Sequence, residues 1–369
     1  DNFDIDYVAH ELGHQVGAEH SFTFTIHSNV AALEPGSGST IMGYAGITSS
    51  NVQQHSDAYF HAVSILQANN YLNSQSCGTN TPITTNNPPV LAVMPDKTIP
   101  KGTAFVLTAA ATDAENDPMT YTWEQYDVAS SSLTSVTGNN TTGPKFRSLL
   151  GTTNPSRYFP RLSSVLNGTL SSATNWEAVS NVARTMNFRV TVRDNNVDPT
   201  KQQTQFGNQK ITVGNDGPFK VTSTKVYNNI PGEFMWDVAG TSAAPYNVSN
   251  VKIDYTSDNG ATWNVLAAST ANDGNEVLDF SNVADNAQIT VRVSAIDNVF
   301  YAVGKVTAST MVNCNGTAPT GLVANSITQT GAKIDWEPFA NATYNLKYKK
   351  ASDATWTEVN NLQTNTYTI

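Results

Sequence analysis

The run His10-Glu11-Leu12-Gly13-His14-Gln15-Val16-Gly17-Ala18-Glu19-His20 holds the side chains best suited to chemistry. His10 and His14 lie four apart, so one helix sets both imidazoles on the same face. Glu11 projects beside them. Gly17 can take a positive φ, end the helix and swing the chain round, which returns His20 to the same centre. Three neutral imidazoles are the donor set of a catalytic zinc ion and leave the fourth tetrahedral position for water. Zinc lowers the pKa of that water towards 7, and Glu11 is placed to accept its proton and pass it to a leaving amine. The plain alternative is an amphipathic helix whose histidines bond to backbone. Three histidines aimed at one point repel one another when protonated, and a metal gives them a reason to be there.

The elements that must position this set are short. Apolar residues at Ile5, Val8, Ala9, Leu12 and Val16 predict a helix with Asp4 as its N-cap. A second helix is expected from about Ser56 to Leu72, with Ala58, Ala62, Ile65, Leu66 and Leu72 on one face. Between them runs a polar, Gly-rich loop around Glu34-Pro35-Gly36-Ser37-Gly38-Ser39. All six histidines fall within the first 61 residues. His55 and His61 read as solvated or hydrogen-bonding side chains, because the second helix looks surface-like there and three ligands suffice.

Beyond residue 77 the texture changes. Residues 78–87 form a Pro- and Thr-rich linker. Strand-like alternation follows at Ala104–Leu107, Thr120–Trp123, Met186–Val192, Val251–Tyr255 and Ile289–Val293, separated by turn clusters. Three β-modules are expected, at 88–214, 217–312 and 317–369, with boundaries at Asn215-Asp216-Gly217-Pro218 and Asn313–Pro319. In the second, Thr256-Ser257-Asp258-Asn259-Gly260-Ala261-Thr262-Trp263 fits an Asp-box hairpin, a structural feature.

Charged residues make up 14% of the 369, hydrophobic ones 39%, and the formal net charge is −10. The apolar fraction can build several cores, so the composition is not a signature of disorder. An acidic balance without a basic face argues against nucleic-acid and anionic-membrane partners. No apolar run reaches the ~18 residues of a membrane-spanning helix. Cys77 and Cys314 are too few for a disulfide framework.

The zinc motif, with Ser39-Thr40-Ile41-Met42-Gly43-Tyr44 after it, resembles the metzincin clan of zinc endopeptidases. The wording from Leu33 to Ile47, followed by Ser56-Asp57-Ala58-Tyr59-Phe60-His61, is similar to secreted bacterial reprolysin-like metalloproteases. Ser21 stands where animal reprolysins place Asp, as in the matrixin pattern. The resemblance implies that Met42 packs beneath the imidazoles as a hydrophobic base. It also implies that Tyr44 can stabilise a developing oxyanion, as in astacin- and serralysin-like members. Residues 1–77 would then be the mostly helical C-terminal part of an α+β peptidase domain, with the substrate-aligning sheet upstream and Ile47–Gln54 contributing to the specificity pocket. A piece cut in this way exposes Val8 and Leu12, leaves Cys77 without a partner, and has little activity alone.

The stretch Thr112-Asp113-Ala114-Glu115-Asn116-Asp117-Pro118 resembles cadherin-like and PKD-like repeats. It offers Asp113, Glu115 and Asp117, with Asp194, as oxygen ligands for calcium. The last module resembles a fibronectin type III domain through Ala332-Lys333-Ile334-Asp335-Trp336 and Tyr344-Asn345-Leu346-Lys347-Tyr348. Its 53 residues from Thr317 fall short of the roughly 90–100 of a full sandwich, so truncation at this end is also expected. The expected function is a secreted or cell-surface bacterial zinc endopeptidase acting on protein or peptide substrates. Its β-modules would attach it to substrate, extracellular matrix or a cell-surface ligand. The alternative is a surface adhesin of Ig-like modules with a vestigial zinc domain, and the presence of Glu11 speaks for the hydrolase.

Overall fold

The computed structural model describes residues 1–79, 81–311, 319–339 and 342–369. Cys314 and most of the expected boundary at 313–319 lie outside the described residues. Strand dominates, and the helices are few. No described helix is long and apolar enough to cross a membrane. The chain divides into two compact units. The larger is Asp1–Thr224, Glu233–Leu278 and Gln288–Val306; the smaller is Lys225–Gly232, Asp279–Ala287 and Thr307–Ile369.

In the larger unit a π-helical stretch, Asp4–Ala9, runs into helix α1, His10–Gln15. The other helix of the first 77 residues is α2, Ala62–Ser74. The expectation of a mostly helical segment is therefore corrected: residues 18–61 are almost all turns and extended chain. The cause is local. Gly17, Gly36, Gly38 and Gly46 take positive φ, and Ser and Thr side chains bond to nearby backbone instead of permitting helix. α2 also starts later than the periodicity suggests. Asp57 N–H donates to Ser39 O (2.8 Å) and Ile41 N–H to Tyr59 O (3.1 Å), so residues 57–59 are spent on pairing with the loop. His61 then caps the helix, its Nδ1 accepting from Val63 N–H at 3.2 Å. His61 is fully buried, not surface-like, and its Nε2 lies 3.6 Å from Glu124 of the neighbouring sheet.

That sheet orders Lys97–Ile99, Thr204–Val213, Arg184–Arg193 and Thr120–Gln125. The long pair is antiparallel, from Thr204 opposite Arg193 to Val213 opposite Arg184. A facing sheet contains Ala104–Thr108 and Ser156–Phe159. Alternating inward residues give a core of Phe105, Phe146, Phe159 and Phe188, whose rings meet stacked or edge to face. Phe105 also pairs across strands with Phe300. The stretches read from sequence as separate modules thus share one sheet. The Asp-box hairpin forms as expected: Asp258 accepts from Thr262 N–H at 2.9 Å, and Gly260 supplies the positive φ.

Residues 21–53 are seated on the first sandwich. Leu133 N–H donates to Thr23 O at 2.7 Å and Ala129 N–H to Ala32 O at 2.8 Å. Ser39 Oγ donates to Ser148 O at 3.1 Å. Trp176, buried with Val136 and Ala178 against Val52, donates from its indole to Asn51 O at 3.2 Å. Gly36 faces this ring so closely that a Cβ there would lie 2.6 Å from it. The loop carrying the second half of the motif is therefore held by loop and turn residues of the sandwich far away in sequence.

In the smaller unit Val323–Asn325, Lys333–Asp335 and Thr366–Thr368 form one sheet, and Tyr344–Tyr348 pairs with Thr357–Leu362. Trp336 and Tyr344 are buried there, edge to face at 5.3 Å.

Candidate metal centre

α1 presents His10 and His14, whose rings meet at right angles with centroids 4.8 Å apart. Gly17 closes the helix at φ +91°, and its N–H donates to His14 O. The chain turns at Ala18 and brings His20 back, so that His14 Nε2 and His20 Nε2 stand 3.0 Å apart. One ring nitrogen from each of His10, His14 and His20 lies within 4.8 Å of the others.

Their far nitrogens explain this aim. His10 Nδ1 donates to Ile41 O at 2.7 Å and His14 Nδ1 to Ala18 O at 2.8 Å. A carbonyl accepts only, so both rings carry their proton on Nδ1 and leave Nε2 with a free lone pair. Ligands about 2.0–2.1 Å from a tetrahedral zinc sit roughly 3.3 Å from one another, close to the His14–His20 separation. The donor set fits a small divalent cation.

Glu11 is exposed on the helix beside these rings. Tyr44 is half-buried, its ring centroid 4.6 Å from that of His20 and 5.5 Å from that of His10. Burial and the Glu11 charge push the Tyr44 phenol above its ordinary pKa, so it stays a proton donor at neutral pH. A cleft of about 370 Å³ opens beside His10 and Glu11, lined by Phe3, Asp6, Tyr7, Tyr44 and Ile47 among others. Val8 and Leu12 are exposed. His55 is exposed too, and its Nδ1 meets Asp6 at 2.7 Å.

Met42 is fully buried and packs with Ala18 and Ile41 against Ile5, Ala9 and Phe60. A Cβ on Gly13 would come within 2.5 Å of the Met42 sulfur and 3.0 Å of Phe60. The glycine inside the motif is thus required by the close approach of helix and turn. Gly13→Ala should cost about 1–3 kcal/mol through overpacking, measurable by urea unfolding. An unchanged midpoint would show that Met42 yields freely.

Glu34 is the residue that sequence reasoning missed. Buried in the loop, it accepts from Ser21 Oγ (2.6 Å), Ser39 N–H (2.8 Å), Thr40 N–H (3.2 Å) and Thr40 Oγ1. It ties the residue after His20 to the turn before Met42. Its partners are scattered in sequence, so the Gly-rich setting suggested only a polar loop.

Burial and the neighbouring imidazoles hold His20 down to about 4, and burial also lowers His10. Both are neutral in the fold and bind protons more readily when unfolded. The stability they contribute is complete above the unfolded value near 6.5 and is lost as pH falls towards about 4. The melting temperature of metal-free protein should fall over that window; a flat profile would contradict the burial.

At the second candidate cluster, carboxylate oxygens of Asp113, Asp117 and Asp194 lie within 4.8 Å of one another. Glu115 does not join them. It accepts from Asn87 N–H and Nδ2 at 3.2 and 2.7 Å. Asp194 is fully buried, while Asp113 Oδ2 and Asn86 Oδ1 are buried with no hydrogen-bond partner. Cys77 is an exposed free thiol.

Residues 1–72, which contain the whole histidine set, Met42 and Tyr44, match the model of the metallo-peptidase family M12B, reprolysin-like. No curated protein matches the chain. Among solved structures, the chicken CNTN1 FN1–FN3 domains are 12% identical over 74% of this chain and 88% of that one, with a TM-score of 0.26. The Drosophila N-cadherin EC1–4 structure is 11% identical over 62% and 50%, with a TM-score of 0.21. The Sidekick-1 immunoglobulin domains 1–4 are 11% identical over 74% and 66%, with a TM-score of 0.18. At these scores the likenesses bear on no residue's role.

Proposed function

We propose that the protein is a zinc-dependent endopeptidase that hydrolyses peptide bonds of extracellular proteins, with His10, His14 and His20 as the ligands. The observation that supports this most is the common aim of three imidazoles whose outer nitrogens are already engaged. Zinc held there supplies Lewis acidity and makes a water acidic enough to be activated near neutral pH. Glu11, next to His10 and open to the cleft, takes the proton and returns it to the leaving amine. The Tyr44 phenol, kept protonated, donates to the oxygen on which charge develops. Phe3, Tyr7 and Ile47 offer apolar surface to a substrate side chain. We place the enzyme outside a bacterial cell, where the β-modules attach it to substrate, matrix or cell-surface ligands. The test is cleavage of an unfolded protein substrate, abolished by a chelator and restored by zinc. Cleavage indifferent to the chelator would refute the reading.

Calcium at Asp113, Asp117 and Asp194 belongs to the same proposal. Three carboxylates meet there, and Asp113 Oδ2 and Asn86 Oδ1 have no donor. A hard cation with oxygen ligands relieves both the repulsion and the unpaired oxygens. Adding calcium should raise the melting temperature, and Asp194→Asn should remove the effect. No shift with calcium would dispose of the site.

A further inference from the structure

His20 differs from the other two ligands in how it is held. His10 and His14 stand on α1, and backbone carbonyls fix their Nδ1 atoms. His20 lies beyond the helix in extended chain, and its Nδ1 faces an imidazole, His27 Nδ1, at 3.1 Å. We propose that His27 is the positioning residue of the metal centre: it accepts the Nδ1 proton of His20 and so directs His20 Nε2 at the metal. The inference rests on the zinc reading above and assigns a role to a histidine outside the ligand set.

For His20 to give Nε2 to a metal, its Nδ1 must carry the hydrogen. The partner must then accept, and a neutral imidazole with its own proton on Nε2 does so. His27 thus supplies the third of three equivalent outer contacts. It is not a fourth ligand, since its near nitrogen points at the outer edge of His20 and it stands apart from the converging group.

Although His27 is exposed, it is not loose. Ser28, the next residue, donates from Oγ to Glu19 Oε2 at 2.8 Å and accepts from Val30 and Ala31 N–H. Glu19 precedes His20 and is itself held by Gln67 of α2. The segments carrying the two histidines are therefore tied one residue from each ring. Phe22, fully buried, stacks on His20 at 4.8 Å and meets the edge of His27 at 4.9 Å. Phe22 fixes the plane of the His20 ring, and His27 fixes its rotation within that plane.

Outer partners of metal-bound histidines typically govern tenfold to a hundredfold of affinity. The experiment is zinc titration of the whole chain against a chromophoric chelator, with wild type, His27→Ala and His27→Gln, plus melting of each metal-free protein. His27→Ala should weaken zinc by about tenfold to a hundredfold with an unchanged metal-free melting temperature. The Gln side-chain carbonyl can accept the same proton and should recover most of the loss. Zinc bound equally tightly by wild type and His27→Ala overturns the positioning role, as does a Gln variant no better than Ala. Wild type that binds no zinc overturns the metal reading itself, and the inference with it.

Discussion

Glu11→Gln should lower peptide hydrolysis by about two to four orders of magnitude, the usual range for a lost general base, while zinc is retained. The carboxylate is not among the three converging donors, so the metal keeps its ligands. Gln has nearly the same volume and helix propensity, and the exposed position demands no repacking. Only the ability to take and return a proton is removed. Hydrolysis rates measured beside metal content separate this from a binding defect. Retained hydrolysis with retained zinc would take the general base away from Glu11.

Glu34→Ala should be the most damaging change to the fold of the site. It leaves Ser21 Oγ, Thr40 Oγ1 and the N–H groups of Ser39 and Thr40 without their acceptor in a buried loop. Unpaired buried donors cost about 1–3 kcal/mol each, so about 2–4 kcal/mol overall is expected once the loop relaxes around them. Because Ser21 adjoins His20 and Thr40 lies two residues before Met42, zinc affinity should fall as well. Denaturant unfolding and zinc titration of the same variant test both effects. Glu34→Gln keeps an acceptor oxygen and should be milder. Full stability in Glu34→Ala would mean that the turn is fixed chiefly by Ser39 and Gly36 on the sandwich.

The histidine set was readable because its spacing is local: a four-residue step on a helix and a glycine bend are written in consecutive positions. Met42 was readable as a turn residue, but its contact with Gly13 depends on how closely helix and turn approach. The helical content that the resemblance implies for residues 1–77 fails over the glycine-bent loop at 18–61, and apolar spacing sets the start of α2 too early because it ignores the backbone pairs at Asp57 and Tyr59. Of the two readings for His61, solvated or hydrogen-bonding, the second holds, and its burial was hidden because Glu124 lies in a strand more than sixty residues on. His27 and Glu34 meet partners only 5 to 13 residues away, but irregular backbone, not a periodic pattern, brings them together, and Trp176 reaches Asn51 across 125 residues. The sharing of one sheet by Phe105 and Phe300 is non-local in the same way.

X-ray absorption at the zinc edge of the metal-loaded protein tests the central claim most directly. Three imidazole nitrogens and one oxygen at about 2.0–2.1 Å are expected, with one imidazole lost in each of His10→Ala, His14→Ala and His20→Ala. A protein that takes up no zinc, or a coordination shell unchanged by these replacements, would contradict it.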